Sequence, residues 1–359
     1  MIKVMIIDDS AVVRTAMTDM LADAAGIEVV ATAADPIFAR DKLKKITPDV
    51  ITLDVEMPRM DGLTFLKKLM AYKPIPVIMV SSLTQAGAKT TLEALNAGAV
   101  DYIGKPTGSM GYGLQDVATE LIEKIRSAAT ARLHVKPEAL QVPPKHDIEE
   151  MLPLTGPKSG LGGPPIVVIG ASTGGTVALE TVLSRLHPPV VPIVVVQHMP
   201  PLFTHAFAER LNSICHLQVT EAQHNQYMTP NTVTIAKGGF HLLLQISKGH
   251  YYVEVKDAPP VNRHKPSVDV LFRSTANSAG RSALGIIMTG MGDDGAKGLL
   301  DMKNLGATTV AQDEQSCVVF GMPGAALRMG AATREISLGG IDTLITTFSR
   351  KYGSFGALR

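Results

Sequence analysis

The chain has 359 residues, which at about 100–200 residues per domain suggests roughly two domains. A hydrophobic content of 45% excludes wholesale disorder, and 34 Lys and Arg against 33 Asp and Glu leave a net charge of +1, which gives no global reason for nucleic-acid or membrane binding. The two cysteines, Cys215 and Cys317, exclude a disulfide framework and a four-sulfur zinc site, and read as reduced thiols.

The apolar start Met1–Ile7 runs into Asp8 and Asp9, so it reads as a strand and not as a signal peptide. The longest apolar runs, such as Ile193–Val196, fall far short of the ~20 residues of a membrane span. A soluble cytoplasmic monomer without membrane insertion is expected. Short β-rich runs follow at Lys3–Ile7, Val29–Thr32, Val50–Leu53, Val77–Val80 and Tyr102–Ile103. Helical stretches lie between them, at Ala11–Ala24, Pro36–Lys45, Gly62–Met70, Gly87–Ala97 and Leu114–Ser127. This alternation predicts a parallel sheet with helices on both faces over residues 1–130. Residues 131–163 are rich in Pro and Gly and read as an inter-domain linker, with a short helix over Asp147–Leu152. Residues 164–359 form a second α/β region. Its strands are expected at Ile166–Ile169, Ile193–Val196, Val233–Ile235, Leu242–Ile246, Tyr252–Val255, Leu284–Met288 and Thr308–Val310. Leu242–Ile246 and Tyr252–Val255 are spaced as a hairpin. Helices are expected at Thr176–Leu186, Thr204–Leu211, Val268–Ser278, Ala296–Leu305 and Pro323–Met329.

In the first region Asp8 and Asp9 follow strand one, Asp54 ends strand three, Ser81 ends strand four and Lys105 follows strand five. A parallel sheet brings strand ends to one edge. Three carboxylates there repel one another unless a cation such as Mg²⁺ neutralises them, and a Lys with a hydroxyl beside it can hold an anion's other oxygens. That points to phosphoryl transfer onto an Asp. The segments Ile7-Asp8-Asp9-Ser10, Leu53-Asp54-Val55-Glu56-Met57-Pro58 with Asp61-Gly62, and Gly104-Lys105-Pro106 resemble a two-component response-regulator receiver domain, a (βα)5 fold. The resemblance implies Asp54 as phospho-acceptor and Asp8, Asp9 and Asp54 as Mg²⁺ ligands. It also implies Ser81 as switch hydroxyl, Tyr102 as switch aromatic, Lys105 as phosphoryl contact, a cis Lys105–Pro106 bond and a histidine kinase as phosphodonor.

In the second region Gly170-Ala171-Ser172-Thr173-Gly174 places a G-x-S-x-G sequence at a strand-to-helix turn, which exposes the Ser hydroxyl at the positive end of a helix dipole. The same turn can cradle a phosphate, although it lacks the P-loop Lys and does not fit G-x-G-x-x-G. A non-catalytic nucleotide- or partner-binding module is therefore the competing reading. Among eight candidate bases (His187, His198, His205, His216, His224, His241, His250 and His264), His198 ends the next strand and would share an edge with Ser172. Asp293 and Asp294 both follow a third strand, and either can be the orienting carboxylate. The chain order Ser–His–Asp differs from that of α/β-hydrolases and predicts the same chemistry on a different, Rossmann-like scaffold with a mostly parallel sheet and a β-hairpin.

The segments Gly170–Gly175, Gln197-His198-Met199-Pro200, Arg263–Asp269, Thr289–Gly295 and Gly321-Met322-Pro323 are similar to the catalytic domain of the CheB family, the chemotaxis protein-glutamate methylesterases and glutamine deamidases. With the receiver in front, the resemblance covers nearly the whole chain. It selects Asp294 over Asp293, implies methyl-accepting chemoreceptors as substrate and implies no cofactor for the esterase. Backbone amides of Thr173 and Met291 are the expected oxyanion donors. A receiver tethered to a hydrolase suggests that the unphosphorylated receiver blocks the Ser172 edge and that phosphorylation releases it.

Overall fold

The computed structural model describes residues 1–58, 60–82, 85–105, 114–130, 148–157 and 163–352. It divides into two units, Met1–Glu138 and Ala139–Arg359. Pro106, expected in a cis bond after Lys105, lies outside the described residues.

The first unit alternates β1 (Ile2–Ile7), α1 (Ala11–Ala22), β2 (Ile27–Ala33), α2 (Pro36–Leu43), β3 (Val50–Asp54), α3 (Gly62–Tyr72), β4 (Val77–Ser81), α4 (Gln85–Asn96), β5 (Asp101–Gly104) and α5 (Leu114–Thr130). Every residue of β3 and β4 is buried. Continuous burial without alternation is what a parallel strand covered on both faces requires. The described strands pair in parallel in the order β2-β1-β3-β4-β5. Strand-end side chains double as helix caps. Ser10 Oγ accepts the Val13 N–H, Asp35 accepts those of Ile37 and Phe38, and Asp61 accepts that of Thr64. The order reverses beside β1, between β1 and β3, the place where open parallel sheets bind ligands.

The second unit begins with α6 (Ile148–Met151). Although this helix lies inside the stretch expected as a linker, it is packed. Ile148 is buried with Leu243, Val261 and Val270, and Met151 and Leu152 pack against the same cluster. Apolar residues at i, i+3 and i+4 supply the stripe that docks it. Asn277 then fastens the following turn. Its Oδ1 accepts the N–H groups of Thr155 and Gly156, at 2.8 and 3.0 Å, and its amide donates to Pro153 O.

The main sheet of this unit uses β6 (Ile166–Ala171), β7 (Ile193–Gln197), β8 (Gln218–Glu221), β10 (Thr232–Ile235), β13 (Ala283–Ile287), β14 (Thr308–Gln312) and β15 (Arg334–Ile336). Their order is β15-β14-β13-β6-β7-β10-β8, all parallel. From β6 the chain works outward through β7 to the β8 edge, then crosses back to β13, so the reversal falls between β6 and β13. Helices α7 (Gly175–Leu183), α8 (Phe203–Ile214), α9 (Val268–Ala279), α10 (Ala296–Asn304), α11 (Met322–Arg328) and α12 (Leu338–Tyr352) complete the unit. The expected hairpin forms from β11 (His241–Ser247) and β12 (His250–Lys256), and β9 (Gln226–Tyr227) adds a third antiparallel strand. Its turn holds Lys248 and Gly249 at φ +49° and +81°, the left-handed pair that a two-residue hairpin needs. Strands β8, β9 and β15 and helix α12 go beyond the elements predicted from the sequence. The three strands are short edge elements, and α12 mixes β-branched residues into its buried Ile341, Ile345 and Phe348 stripe. No helix among the described residues is long and apolar enough to cross a membrane.

Candidate functional site

In the second unit, Ser172, His198 and Asp294 follow the adjacent strands β6, β7 and β13, so topology brings them to the edge where the strand order reverses. The Ser172 N–H donates to Thr289 O at 3.0 Å, and the His198 N–H donates to Ala171 O at 3.1 Å. Gln197 ties the two loops together, because its side-chain amide donates to both Ser172 O (2.9 Å) and His198 O (3.3 Å). Gly175 makes room for this, since a Cβ there would lie 2.2 Å from Gln197 Oε1. Helix α7 starts at Gly175, directly after the Ser172 loop, so its positive end lies at that loop.

The His198 Nε2 lies 2.8 Å from Asp294 Oδ2, and its side chain is only 8% exposed. The other ring nitrogen, Nδ1, is buried and makes no hydrogen bond among the described residues. A carboxylate acceptor on Nε2 keeps the proton there and leaves the Nδ1 lone pair available as a base. Asp293 is exposed, whereas Asp294 is 1% exposed and is the residue on His198.

Asp294 is embedded in donors. Its carboxylate accepts from Val268 N (2.6 Å), Ser267 Oγ (2.8 Å), Asn262 Nδ2 (3.0 Å) and Asp269 N (3.3 Å) as well as from His198. Two of these are the first amides of α9, so the helix dipole also favours the anion. Burial pushes the Asp294 carboxyl up, but the His198 bond, the charges of His198 and His264 and the Asn262 bond outweigh it and hold Asp294 well below the usual carboxylate range. Val268 reaches this position because Gly170 and Gly295 lack side chains, and Cβ atoms there would lie 2.2 and 2.5 Å from Val268 Cγ1. Behind it, buried His241 accepts the Ser267 N–H on Nδ1 and donates from Nε2 to Pro259 O. Burial lowers its pKa and keeps it neutral in that role. The neighbouring Asp269 accepts from Gly298 N and Asn262 Nδ2, and burial followed by the Asp294 charge pushes its pKa up to about 8.

The 289–292 loop comes close to Ser172. A Cβ on Gly290 would lie 2.8 Å from Ser172 Cβ and 2.3 Å from Met322 Sδ. Gly290 O accepts the N–H groups of Gly321 and Met322, which gives the Gly-Met-Pro segment its place. The Met291 N–H makes no hydrogen bond among the described residues. Thr173 O accepts the Thr289 hydroxyl at 3.0 Å, which ties the two expected oxyanion loops together. Cys215 and Cys317 take no part. Burial pushes their thiols up to about 11 and about 12, so they are neutral and unreactive.

In the first unit, Asp8, Asp9 and Asp54 each offer a carboxylate oxygen within 4.8 Å of the others. Lys105 Nζ lies 2.7 Å from Asp54 Oδ2 and 3.6 Å from Asp8 Oδ2. Burial raises Asp54 to about 6 and also raises Asp8, while the hydrogen bond and charge of Lys105 oppose the change at Asp54. For Lys105 the signs reverse. Burial lowers it, and the Asp54 bond and the surrounding carboxylates more than restore it. Three carboxylates against one ammonium leave excess negative charge, and Asp8 Oδ2 is buried with the Lys105 ammonium 3.6 Å away and no hydrogen bond among the described residues. These all-oxygen donors fit a hard divalent cation such as Mg²⁺. Gly62 is required here because a Cβ would lie 2.0 Å from Asp54 O. Ser81 is fully buried at the end of β4, with its hydroxyl donating to Ser82 O, and Tyr102 is buried on β5.

Sequence reasoning missed Asn262, named Gln197, Ser267 and Asp269 only as members of motifs without a role, and weighed His241 only as one of eight candidate bases. Periodicity does not reveal a loop's destination.

The chain matches the CheB methylesterase family over residues 167–345 and the response regulator receiver domain family over residues 4–110. It is 54% identical over 343 residues to a protein of Hahella chejuensis named protein-glutamate methylesterase/protein-glutamine glutaminase 2, covering 94% of this chain and 93% of that one. It is 51% identical over 356 residues to the Shewanella oneidensis protein-glutamate methylesterase/protein-glutamine glutaminase 3, covering 98% of this chain and 100% of that one. The crystal structure of the Thermotoga maritima CheB methylesterase catalytic domain is similar at 38% identity and a TM-score of 0.50, covering 51% of this chain and 98% of that one. With two strand-edge sites in two units and these relatives along nearly its full length, the chain belongs to the CheB family of hydrolases, a receiver domain followed by a methylesterase domain.

Proposed function

We propose that the second unit hydrolyses γ-methyl esters of glutamate on chemoreceptors, and deamidates selected glutamines, through Ser172, His198 and Asp294. The observation that carries this reading is the buried His198–Asp294 pair, which leaves Nδ1 unbonded at the Ser172 edge. Nδ1 takes the Ser172 proton as Oγ attacks the ester carbonyl. Asp294 fixes the tautomer and stabilises the imidazolium that forms. The amides of Thr173 and Met291 donate to the developing oxyanion, each worth about 10²–10³ in rate. Collapse breaks the ester C–O bond, the imidazolium returns its proton and methanol leaves. Water then adds to the acyl-enzyme by the same route and frees the glutamate. A glutamine amide gives ammonia instead.

The receiver regulates this activity. Asp8, Asp9 and Asp54 are the residues to hold Mg²⁺, which when bound neutralises phosphoryl oxygens. Asp54 accepts the phosphoryl group, drawn from a histidine kinase. Lys105 pairs with its oxygens, Ser81 turns its hydroxyl toward them and Tyr102 responds. The unphosphorylated receiver restrains the esterase.

The test is methanol release from methylated chemoreceptor membranes by wild type and Ser172→Ala, with and without a small phosphodonor and Mg²⁺. Release by wild type, stimulated by the donor and lost in the variant, is the expected result. Equal release by the variant removes the nucleophile. No release by wild type favours a nucleotide- or partner-binding module in place of the esterase.

A further inference from the structure

Asn262, which donates to Asp294, and His264 belong to one tight turn. Val261 and His264 exchange two backbone hydrogen bonds, of 2.9 and 3.2 Å, and form an isolated bridge. The two residues between them, Asn262 and Arg263, sit at φ +49° and +69°. Two successive left-handed residues, neither of them glycine, are an unfavourable way to close a turn, and such strain persists where the surroundings over-determine it. The turn is anchored from below, since Val261 is 2% exposed and packs with Ile148, Leu243 and Val270.

The turn delivers two contacts to the same pair of side chains. Asn262 Nδ2 donates to Asp294 Oδ1 at 3.0 Å and also reaches Asp269 Oδ2. The His264 ring lies flat on the His198 ring, with centroids 3.7 Å apart and planes 10° from parallel. The Nε2 bond to Asp294 fixes one point of the imidazole but leaves rotation about that hydrogen bond. A ring stacked at van der Waals distance on one face removes that freedom.

We propose that the Val261–His264 turn is a positioning device in which Asn262 orients the Asp294 carboxylate and His264 holds the plane of the His198 imidazole, so that Nδ1 stays aimed at the nucleophile. His264 is a positioning residue and touches no reacting atom. The inference rests on the reading of Ser172, His198 and Asp294 given above. It predicts a role for the flat ring of His264 independent of its charge.

The test compares the full-length wild type with His264→Ala and His264→Phe. One readout is methanol release from methylated receptor membranes with phosphodonor and Mg²⁺. The other is the ¹H NMR signal of the His198 Nε2–H, protected by its bond to Asp294 and independent of any substrate. His264→Ala should lower kcat by about ten- to a hundredfold, the scale of a misplaced catalytic group, with KM within about twofold, and should lose the protected signal to exchange with water. His264→Phe, which restores a flat ring without a charge, should recover kcat to within about threefold and regain the signal. A general loss of stability would not be repaired by Phe while thermal unfolding matches wild type. His264→Ala with wild-type kcat and an intact signal overturns the proposal, and so does a folded His264→Phe as impaired as the Ala variant. If the Ala variant does not fold, the Phe variant decides by the same criteria. If wild type itself releases no methanol, the proposed esterase reading falls, and the NMR signal alone decides whether the turn holds the ring.

Discussion

His198 meets Asp294 through Nε2, at 2.8 Å, and so presents Nδ1 as its free nitrogen. In the chymotrypsin-type triad Nδ1 faces the carboxylate and Nε2 serves as base. The imidazole here is oriented the other way round, and the carboxylate sets the tautomer by the same principle. An Asp294→Asn variant would present either an amide donor to Nε2, which moves the ring proton to Nδ1 and removes the base, or a weaker neutral acceptor. We expect kcat to fall by about 10³–10⁴ with the fold retained. Methanol-release kinetics and circular dichroism check this together, and a loss below about tenfold contradicts it.

Gly290 lies where a methyl group has no space. Its Cβ would fall 2.3 Å from Met322 Sδ and 2.8 Å from Ser172 Cβ. Gly290→Ala should therefore displace the Ser172 loop, with most of the proposed esterase activity lost and stability reduced by about 1–3 kcal/mol. Steady-state kinetics and urea unfolding measure the two effects, and unchanged kcat would mean that the loop yields freely.

The receiver has a matching constraint. A Cβ on Gly62 would meet Asp54 O at 2.0 Å, and a backbone carbonyl at the end of a buried strand cannot step aside. Gly62→Ala should cost the receiver about 2 kcal/mol or more and abolish the response to phosphodonor. Phosphodonor stimulation of methanol release, read beside urea unfolding of the full chain, tests it.

Asp269 makes stability depend on pH. An ordinary Asp ionises at about 3.9, whereas burial and the Asp294 charge hold the folded Asp269 proton up to about 8. The folded state therefore binds the extra proton between these values. The stability contribution is fully present below about pH 4 and is lost as pH rises toward about 8. Asp294 carries the opposite sign, because its folded pKa is lowered, and it is already ionised throughout this window. Asp269→Asn should flatten the fall in unfolding free energy between about pH 5 and 8 by at least about 1 kcal/mol. Urea midpoints across that range give the slopes, and equal slopes contradict the assignment.

The packed segment before β6 changes how the two units should be separated. A chain truncated to begin at Leu161 lacks Ile148 and leaves a gap under Val261, the base of the His264 turn. One that begins between residues 139 and 147 keeps the segment. The longer chain should be more stable by about 2–4 kcal/mol, the scale of a buried Ile lost from a core. If the receiver restrains the esterase, the longer chain should also exceed full-length basal activity. Urea unfolding and methanol release without phosphodonor report on the two points separately.

Much of this molecule follows from local sequence. Apolar runs punctuated by Asp, Gly and Ser define the strands of both parallel sheets, and each sheet carries its own strand ends to one edge whatever the loops do, Asp8 and Asp54 in the first unit and Ser172 and His198 in the second. The G-x-S-x-G turn is legible because glycine spacing is a local backbone requirement. The rest depends on contacts between loops far apart in the chain. Asp294 reaches His198 across 96 residues, Asn262 reaches Asp294 across 32, and the Asp293/Asp294 choice turned on which side chain met the first turn of α9. Neighbouring carboxylates are equivalent to any local rule. Burial against a helix N-terminus made Asp294 the anion that holds the histidine, while Asp293 stayed in solvent. The orientation that leaves Nδ1 rather than Nε2 unbonded, and the stacking of His264 on His198, were likewise decided by where separate loops converge over the sheet edge, because ring orientation is set by the partners that surround it.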